Sequence, residues 1–442
     1  MNTPMHAAWR RRCDDAISDV DAAVRTALDG AGISLASGAR IAVAVGSRGI
    51  GSIDRIVKSA LEWLSARGAR PFIVPAMGSH GGATAEGQTA VLASYGITEE
   101  TMNAPIRSSM ETVALDARGL EVDLFMDRHA WESDGVLLVN RVKPHTDFHG
   151  FPESGLLKMS VIGLGKHAQA LAVHGLGIRG LKEQLLPAAR RILSTRKILG
   201  GLAIVENADD EPMAVRAAAA DRIEPLEREL LRLAGQAIPS LPLDDIDLLI
   251  VDQMGKDKSG TGLDTGVIGR IRIHGEPEPE RPRVRSLVVL SLTEASHGNA
   301  IGIGLADVIT RELYDAIDFR ATYENGLTSS FSERVKVPYV AADHRDAIRA
   351  AIRFAGLHAD PVRAIGKARI ARIRSTLDLS SMLLSAPACD AVGHRDDLVV
   401  APEPSPLFGA DGRLPEEYGR RGGEGAFDAW CVGGHNGGEA QP

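Results

Sequence analysis

Six short apolar runs, rich in β-branched residues, constrain the fold of this chain more than any other feature: IAVAV (41–45), PFIV (71–74), VLLV (136–139), LAIV (202–205), DLLIV (247–251) and SLVVL (286–290). None alternates polar with apolar residues, so none can keep one face in water. Runs of this kind form strands buried on both faces, as in parallel sheets covered by helices. Between them lie stretches with helical spacing. In 54–66, DRIVKSALEWLSA, the residues Ile56, Val57, Ala60, Leu61 and Leu64 share one face, and Asp54 is placed to accept a hydrogen bond at the amino end. Strands alternating with helices imply right-handed crossovers and ligand sites beyond the carboxyl ends of the strands.

At 442 residues the chain has room for more than one core. The segment GQAIPSLPLDD, with Pro239 and Pro242, follows a long polar helical pattern around 221–234 and precedes a fresh buried run, which sets a domain boundary there. The expected fold class is α/β, with two α/β domains of mainly parallel sheets and a cleft between them. Residues 1–240 form the N-terminal catalytic domain in this reading, and residues 244–380 the second α/β domain. Residues 381–442, which run into EYGRRGGEGAFDAWCVGGHNGGEAQP, read as a flexible Gly/Pro-rich tail.

A net charge of −8 offers no basic face to a phosphate backbone, and the cluster Arg10, Arg11, Arg12 is too short to supply one, so nucleic acid is excluded as the main partner. No run approaches the roughly 20 apolar residues that span a bilayer. The N-terminus lacks the apolar core of a secretory signal. Cys13, Cys389 and Cys431 are odd in number and far apart, which supports neither a disulfide framework nor a paired-cysteine metal site. The expectation is a cytoplasmic protein with a small-molecule partner and no membrane contact.

After the first run comes Gly46, Ser47, Arg48, Gly49, Ile50, Gly51, in the order of strand, glycine turn and helix that dinucleotide-binding enzymes use for a pyrophosphate. Short-chain dehydrogenases add a Tyr followed four places later by Lys. The tyrosines here, Tyr95, Tyr314, Tyr323, Tyr339 and Tyr418, are followed at that spacing by Glu99, Asp318, Leu327, Asp343 and Gly422, so the pair is absent. An NAD(P)-dependent oxidoreductase remains an alternative reading, as does a non-catalytic ligand-binding relative. Arg48 at a strand end is better used as a guanidinium shaped for a carboxylate or phosphate.

Histidine and lysine move protons, form covalent adducts and bind soft metals, and four of them follow apolar runs here. His80, in PAMGSHGGAT, is bordered by Gly78, Gly81 and Gly82, which let backbone approach a ligand closely. His145 follows Pro144 and opens a loop that also carries His149 and Glu153. Lys158, in GLLKMSVIGLG, is costly to bury unless paired, modified or functional; a lysine snorkelling at a helix start is the structural alternative. His174 lies sixteen residues further on. In the second domain, a polar loop with Thr293, Glu294, His297, Asn299 and Asp307 either closes on substrate or caps the following helix.

Together these residues resemble the nickel-dependent lactate racemase family, over most of residues 40–270. The resemblance implies that His80 and His145 are paired acid/bases, that Lys158 covalently links a nickel pincer nucleotide, and that His174 ligates the metal. It implies cofactor contacts from Ser47 and Arg48, and substrate contacts from Arg48, Gln253 and Lys256. The activity implied is racemisation or epimerisation of a 2-hydroxy acid by reversible hydride transfer, with cofactor-synthesis enzymes as maturation partners. Where that family has an Asp-x-Thr-Arg loop, this chain reads Val45, Gly46, Ser47, Arg48: the arginine stays and the aspartate is missing.

Overall fold

The computed structural model describes residues 3–47, 49–146, 148, 150–357 and 364–415. The chain opens with β1 (Pro4–Arg10), whose partners arrive only near residues 381–406. It then builds a compact unit from Arg12–Pro239. There β2 (Arg40–Val45) and β3 (Arg70–Pro75) are followed by a small antiparallel pair, β4 (Thr112–Leu115) and β5 (Leu124–Asp127). The chain returns through β6 (Gly135–Arg141), β7 (Ile198–Glu206) and β8 (Pro212–Ala219). The main sheet has the order β3-β2-β6-β7-β8, parallel except for β8.

The runs IAVAV, PFIV, VLLV and LAIV all lie in this sheet, and its two faces explain their composition. On β2, Ile41, Val43 and Val45 pack with Ile56, Val57, Ala60 and Leu64 of the helix Ile53–Ala66, while Ala42 and Ala44 point the other way, toward Leu156, Leu185 and Ala188. Each large side chain buried in this way contributes about 1.5–3 kcal/mol. The helix starts at Ile53, and its cap residue Ser52 sits in the left-handed region (φ 57°) without a side-chain cap bond. Asp54 therefore does not cap; it lies within the first turn, where its charge favours the helix dipole.

The second unit begins at Ser240. Here β9 (Asp245–Met254), β10 (Arg283–Leu292), β11 (Val308–Thr310), β12 (Tyr339–Ala341) and β13 (Ile370–Ile373) are parallel, in the order β12-β11-β10-β9-β13. DLLIV and SLVVL are the central pair β9 and β10. The sheet continues antiparallel through β14 (Ser381–Ser385), β1 and β15 (Leu398–Val400), with β16 (Ser405–Pro406) beside β1. Both units are thus α/β with mainly parallel sheets.

Two boundary expectations change. Residues 4–10 do not belong to the first unit: β1 pairs with β14 (Ala8 opposite Met382) and β15 (Ala8 opposite Val400), and Met5 and Ala8 are fully buried. Nor are residues 381–415 a flexible tail. Met382, Leu383 and Leu384 are buried in β14, and Leu407, Phe408 and Leu414 are buried beyond it, because an apolar run of this kind has nowhere to go but a core. Residues 416–442, the rest of the expected tail, lie outside the described residues.

Candidate functional site

In the first unit the chain leaves β2 for β3 on one side and later adds β6 on the other side of β2. Loops from the carboxyl ends of β2 and β6 must therefore run apart, which opens a crevice where open α/β sheets place ligands. The segments at these ends are Gly46–Ser47 after β2, Ala76 to His80 after β3, and Val142 to His145 after β6. Ser47, His80 and His145 are thus delivered to one edge of one sheet by its hydrogen-bond order.

Ser47 and His80 meet directly, with 2.6 Å between Ser47 Oγ and His80 Nδ1. The Tyr95 hydroxyl donates to the Ser47 carbonyl at 2.6 Å and fixes the β2 loop from behind. The Ser47 hydroxyl thus holds the imidazole of His80, which is exposed. The glycines around it serve the protein more than a ligand. Gly78 has φ +60° and lies where a Cβ would come within 3.2 Å of Ile162; Gly81 has φ +63° and lies where one would come within 2.6 Å of the Gly87 backbone. Only glycine meets both demands without strain.

Beneath this loop lies a buried polar group. Gln88 Nε2 donates to the Gly78 carbonyl at 2.9 Å and to the His80 carbonyl at 3.3 Å. Gln88 Oε1 accepts from Lys166 Nζ at 3.0 Å, and the same ammonium donates to the Pro75 carbonyl at 2.5 Å and pairs with Asp127 Oδ2 at 3.2 Å. Gln88, Lys166 and Asp127 are all 0% exposed. Burial pushes the Asp127 carboxyl up and the Lys166 ammonium down, each opposed by the attraction of the other.

His145 is positioned on the β6 side. Its backbone N–H donates to Glu153 Oε2 at 2.6 Å, the Gly150 N–H donates to Glu153 Oε1 at 3.0 Å, and its ring stacks on Phe148 at 4.5 Å. Glu153 is buried and holds both ends of the loop. Lys158 closes the short helical turn Leu156–Lys158 and is half-buried between buried Leu157 and Met159. A π-helical turn, Met159–Gly163, follows, a local irregularity common at functional sites. That segment is tied to the strand ends. The Gly78 N–H donates to the Gly163 carbonyl at 3.1 Å, and a Cβ on Gly46 would come within 3.2 Å of Met159 Cε and 2.9 Å of Asn140 Oδ1. Asn140 Nδ2 donates to the Gly155 carbonyl at 3.0 Å. The buried Glu227 carboxylate accepts from the Leu157 N–H at 2.9 Å, and desolvation pushes its pKa up to about 7.

The remaining expected residues of this unit lie on other segments or outside the described residues. His174 ends the helix Lys166–His174 and is exposed. Arg48 and His149 lie outside the described residues. In the glycine turn, a Cβ on Gly51 would come within 2.5 Å of the Asp210 carbonyl, and its N–H donates to Glu206 Oε1 at 2.6 Å. Glu206 is itself paired with Arg141. A carboxylate thus takes the amide that a pyrophosphate would use. Among the described residues, no three His, Cys, Asp or Glu side chains gather as a metal site.

In the second unit Gln253 lies near the end of β9 and Lys256 just beyond it, both exposed. The Lys256 N–H donates to Ser296 Oγ at 2.9 Å, and partial desolvation lowers its ammonium pKa. Gly255 fits under Thr293 and Ser296, with a Cβ there 2.5 Å from Ser296 Oγ. Of the polar loop expected near substrate, Thr293 bonds Asp257 at 2.5 Å and Asn299 accepts from the Ile301 N–H. Asp307 is structural: it pairs with Arg270 at 2.7 Å and Arg272 at 3.2 Å and accepts from the Leu287 N–H.

No family model matches this chain, and no curated protein matches it. Among the solved structures similar to it are the following two. The lactate racemase apoprotein from Thermoanaerobacterium thermosaccharolyticum has a TM-score of 0.46 at 12% identity, covering 85% of this chain and 99% of that one. A Thermotoga maritima protein solved by structural genomics has a TM-score of 0.44 at 13% identity, covering 80% and 86%.

Sequence reasoning missed Gln88, Tyr95, Asp127, Asn140, Lys166 and Glu227. Lys166 carried the same signal as Lys158, a cation in the apolar stretch VIGLGKHAQA. The others sit in ordinary helical or strand contexts that give no local sign of their role.

Proposed function

We propose that this chain is a racemase or epimerase of a 2-hydroxy acid, lactate-like at its reacting centre, working with a nickel pincer nucleotide. The observation that carries the reading is the 2.6 Å contact of Ser47 Oγ with His80 Nδ1 across neighbouring strand ends, in a unit that knits the turns around Lys158 to those same ends. The residues present fit the cofactor by donor chemistry. A pincer that brings its own sulfur, carbon and sulfur asks the protein for one imidazole and one amine, not for a gathered ligand set. Lys158 would form the covalent link and His174 would supply the imidazole, with Ser47 and Arg48 as further cofactor contacts.

A Cα–H beside an ionised carboxylate is too weakly acidic for ready deprotonation, and the bound pincer would supply a reversible hydride acceptor instead. The protein's part is proton transfer and position. His80, its ring held by Ser47, takes the hydroxyl proton from one enantiomer. His145, on a loop fixed by Glu153, serves the other, because inversion needs a base on each side. Arg48, Gln253 and Lys256 are assigned to the substrate, where a cation steadies the carboxylate.

The test is protein co-produced with nickel and the pincer-synthesis enzymes, followed by intact mass, nickel content and chiral analysis of 2-hydroxy acids. The expected result is a nucleotide-sized mass gain and nickel in wild type but not in Lys158→Ala. Interconversion should fall by roughly 10²-fold or more in His80→Ala and in His145→Ala. An unmodified, nickel-free wild-type chain would overturn the proposal, and net NAD(P)H-dependent turnover would establish the oxidoreductase alternative in its place.

A further inference from the structure

Lys166 has no part in the chemistry above, yet it is fully buried and closely held. It is 0% exposed, and it adopts φ +57°, a left-handed conformation that is strained for a non-glycine residue. Glycine would satisfy that backbone at lower cost, and Gly165 precedes it. What lysine adds is an ammonium that reaches the last residue of β3, the side chain of Gln88 and Asp127.

We propose that Lys166 and Gln88 form a relay that positions His80. An amide side chain can present either end to a neighbour, and the buried ammonium decides the matter: it claims Oε1, so Nε2 must face the carbonyls of Gly78 and His80. Two donor contacts then hold the loop on either side of Ser79 while Ser47 holds the ring. Asp127 completes the relay by pairing with Lys166 and orienting it, and its other oxygen accepts from the Ala130 N–H at 2.8 Å. The relay touches backbone only, so it sets where the imidazole stands and leaves its chemistry to the ring. In calling His80 a proton-transfer group, this inference rests on the function proposed above.

The test uses the full chain without cofactor or substrate and reads the ring nitrogens of 15N-histidine-labelled protein by NMR, with His80→Gln to assign the signals. In wild type, Nδ1 and Nε2 of His80 should be widely separated, as in one held tautomer. Gln88→Met removes the donor; Gln88→Glu keeps an acceptor for Lys166 but turns a carboxylate oxygen on the two carbonyls. In both, the separation should shrink to roughly half or less, toward the average of a freely exchanging imidazole, as in Ser47→Ala. A separation unchanged in both Gln88 variants but lost in Ser47→Ala overturns the proposal, as does an averaged ring in wild type. Purely structural damage would lower the melting temperature without changing this ratio. Failure of the racemase reading would appear in the chiral assay and leave the spectra as they are.

Discussion

Replacing Glu227 with glutamine should remove about 2 to 3 kcal/mol of the pH dependence of stability in the first unit between pH 5 and pH 8. The Glu227 carboxyl is 1% exposed, accepts the Leu157 N–H at 2.9 Å and lies where a Cβ on Gly155 would come within 2.7 Å of Oε1. Desolvation outweighs the backbone hydrogen bonds and raises the pKa from 4.5 to about 7. The folded chain therefore holds this proton more tightly than the unfolded chain. Its contribution is present in full below the unfolded value and is lost as pH climbs to about 7. A shift of that size makes the folded unit about 2 to 3 kcal/mol less stable at pH 8 than at pH 5 from this group alone. Glutamine keeps an oxygen for the Leu157 N–H and carries no charge at either pH. Urea unfolding followed through Trp63 and Trp131 at the two pH values, for wild type and Glu227→Gln, gives the double difference directly. A variant with the same pH dependence as wild type would refute the reasoning, because it would mean that the carboxylate is solvated when ionised.

Lys166→Met should destabilise the first unit by about 3–5 kcal/mol, since it leaves Asp127 charged and buried without its partner, and Lys166→Met with Asp127→Leu should recover much of that loss; thermal unfolding of the three proteins decides. Ending the chain at Ser380 should unfold the second unit, because β1 would lose β14, β15 and β16 together; a truncated protein that keeps the wild-type circular dichroism and melting transition would contradict the pairing.

The strands legible in the sequence were those whose physics is local. IAVAV, PFIV, VLLV, LAIV, DLLIV and SLVVL are apolar on both faces and lie in β2, β3, β6, β7, β9 and β10. Among the strands that escaped notice, Val308–Thr310 and Tyr339–Ala341 have three residues each, Pro212–Ala219 is alanine-rich and antiparallel, and β1 is far in sequence from both neighbours that cover it. The glycine turn has a packing use that one dimension hides, because a Cβ on Gly51 would meet the Asp210 carbonyl of a distant turn. His80, His145 and Lys158 stood out because strand ends and apolar neighbours are visible in one dimension. Gln88 and Lys166 lie seventy-eight residues apart, and nothing local joins them until β3, the helix Ala85–Ser94 and the turn after Gly163 are packed.

The position of β1 bears on how this protein is made. Ala7 has Leu383 opposite it, and Ala8 has Met382 on one side and Val400 on the other. The Arg12–Pro239 unit is thus a loop of chain spliced into the second unit between its first and second strands. A ribosome delivers β1 before the inserted unit and its neighbours after it, so that strand must wait, with Met5 and Ala8 uncovered, while the inserted unit is completed. Moving residues 4–11 to follow residue 415 would place β1 after its own partners, and such a rearranged protein should refold faster and aggregate less during synthesis.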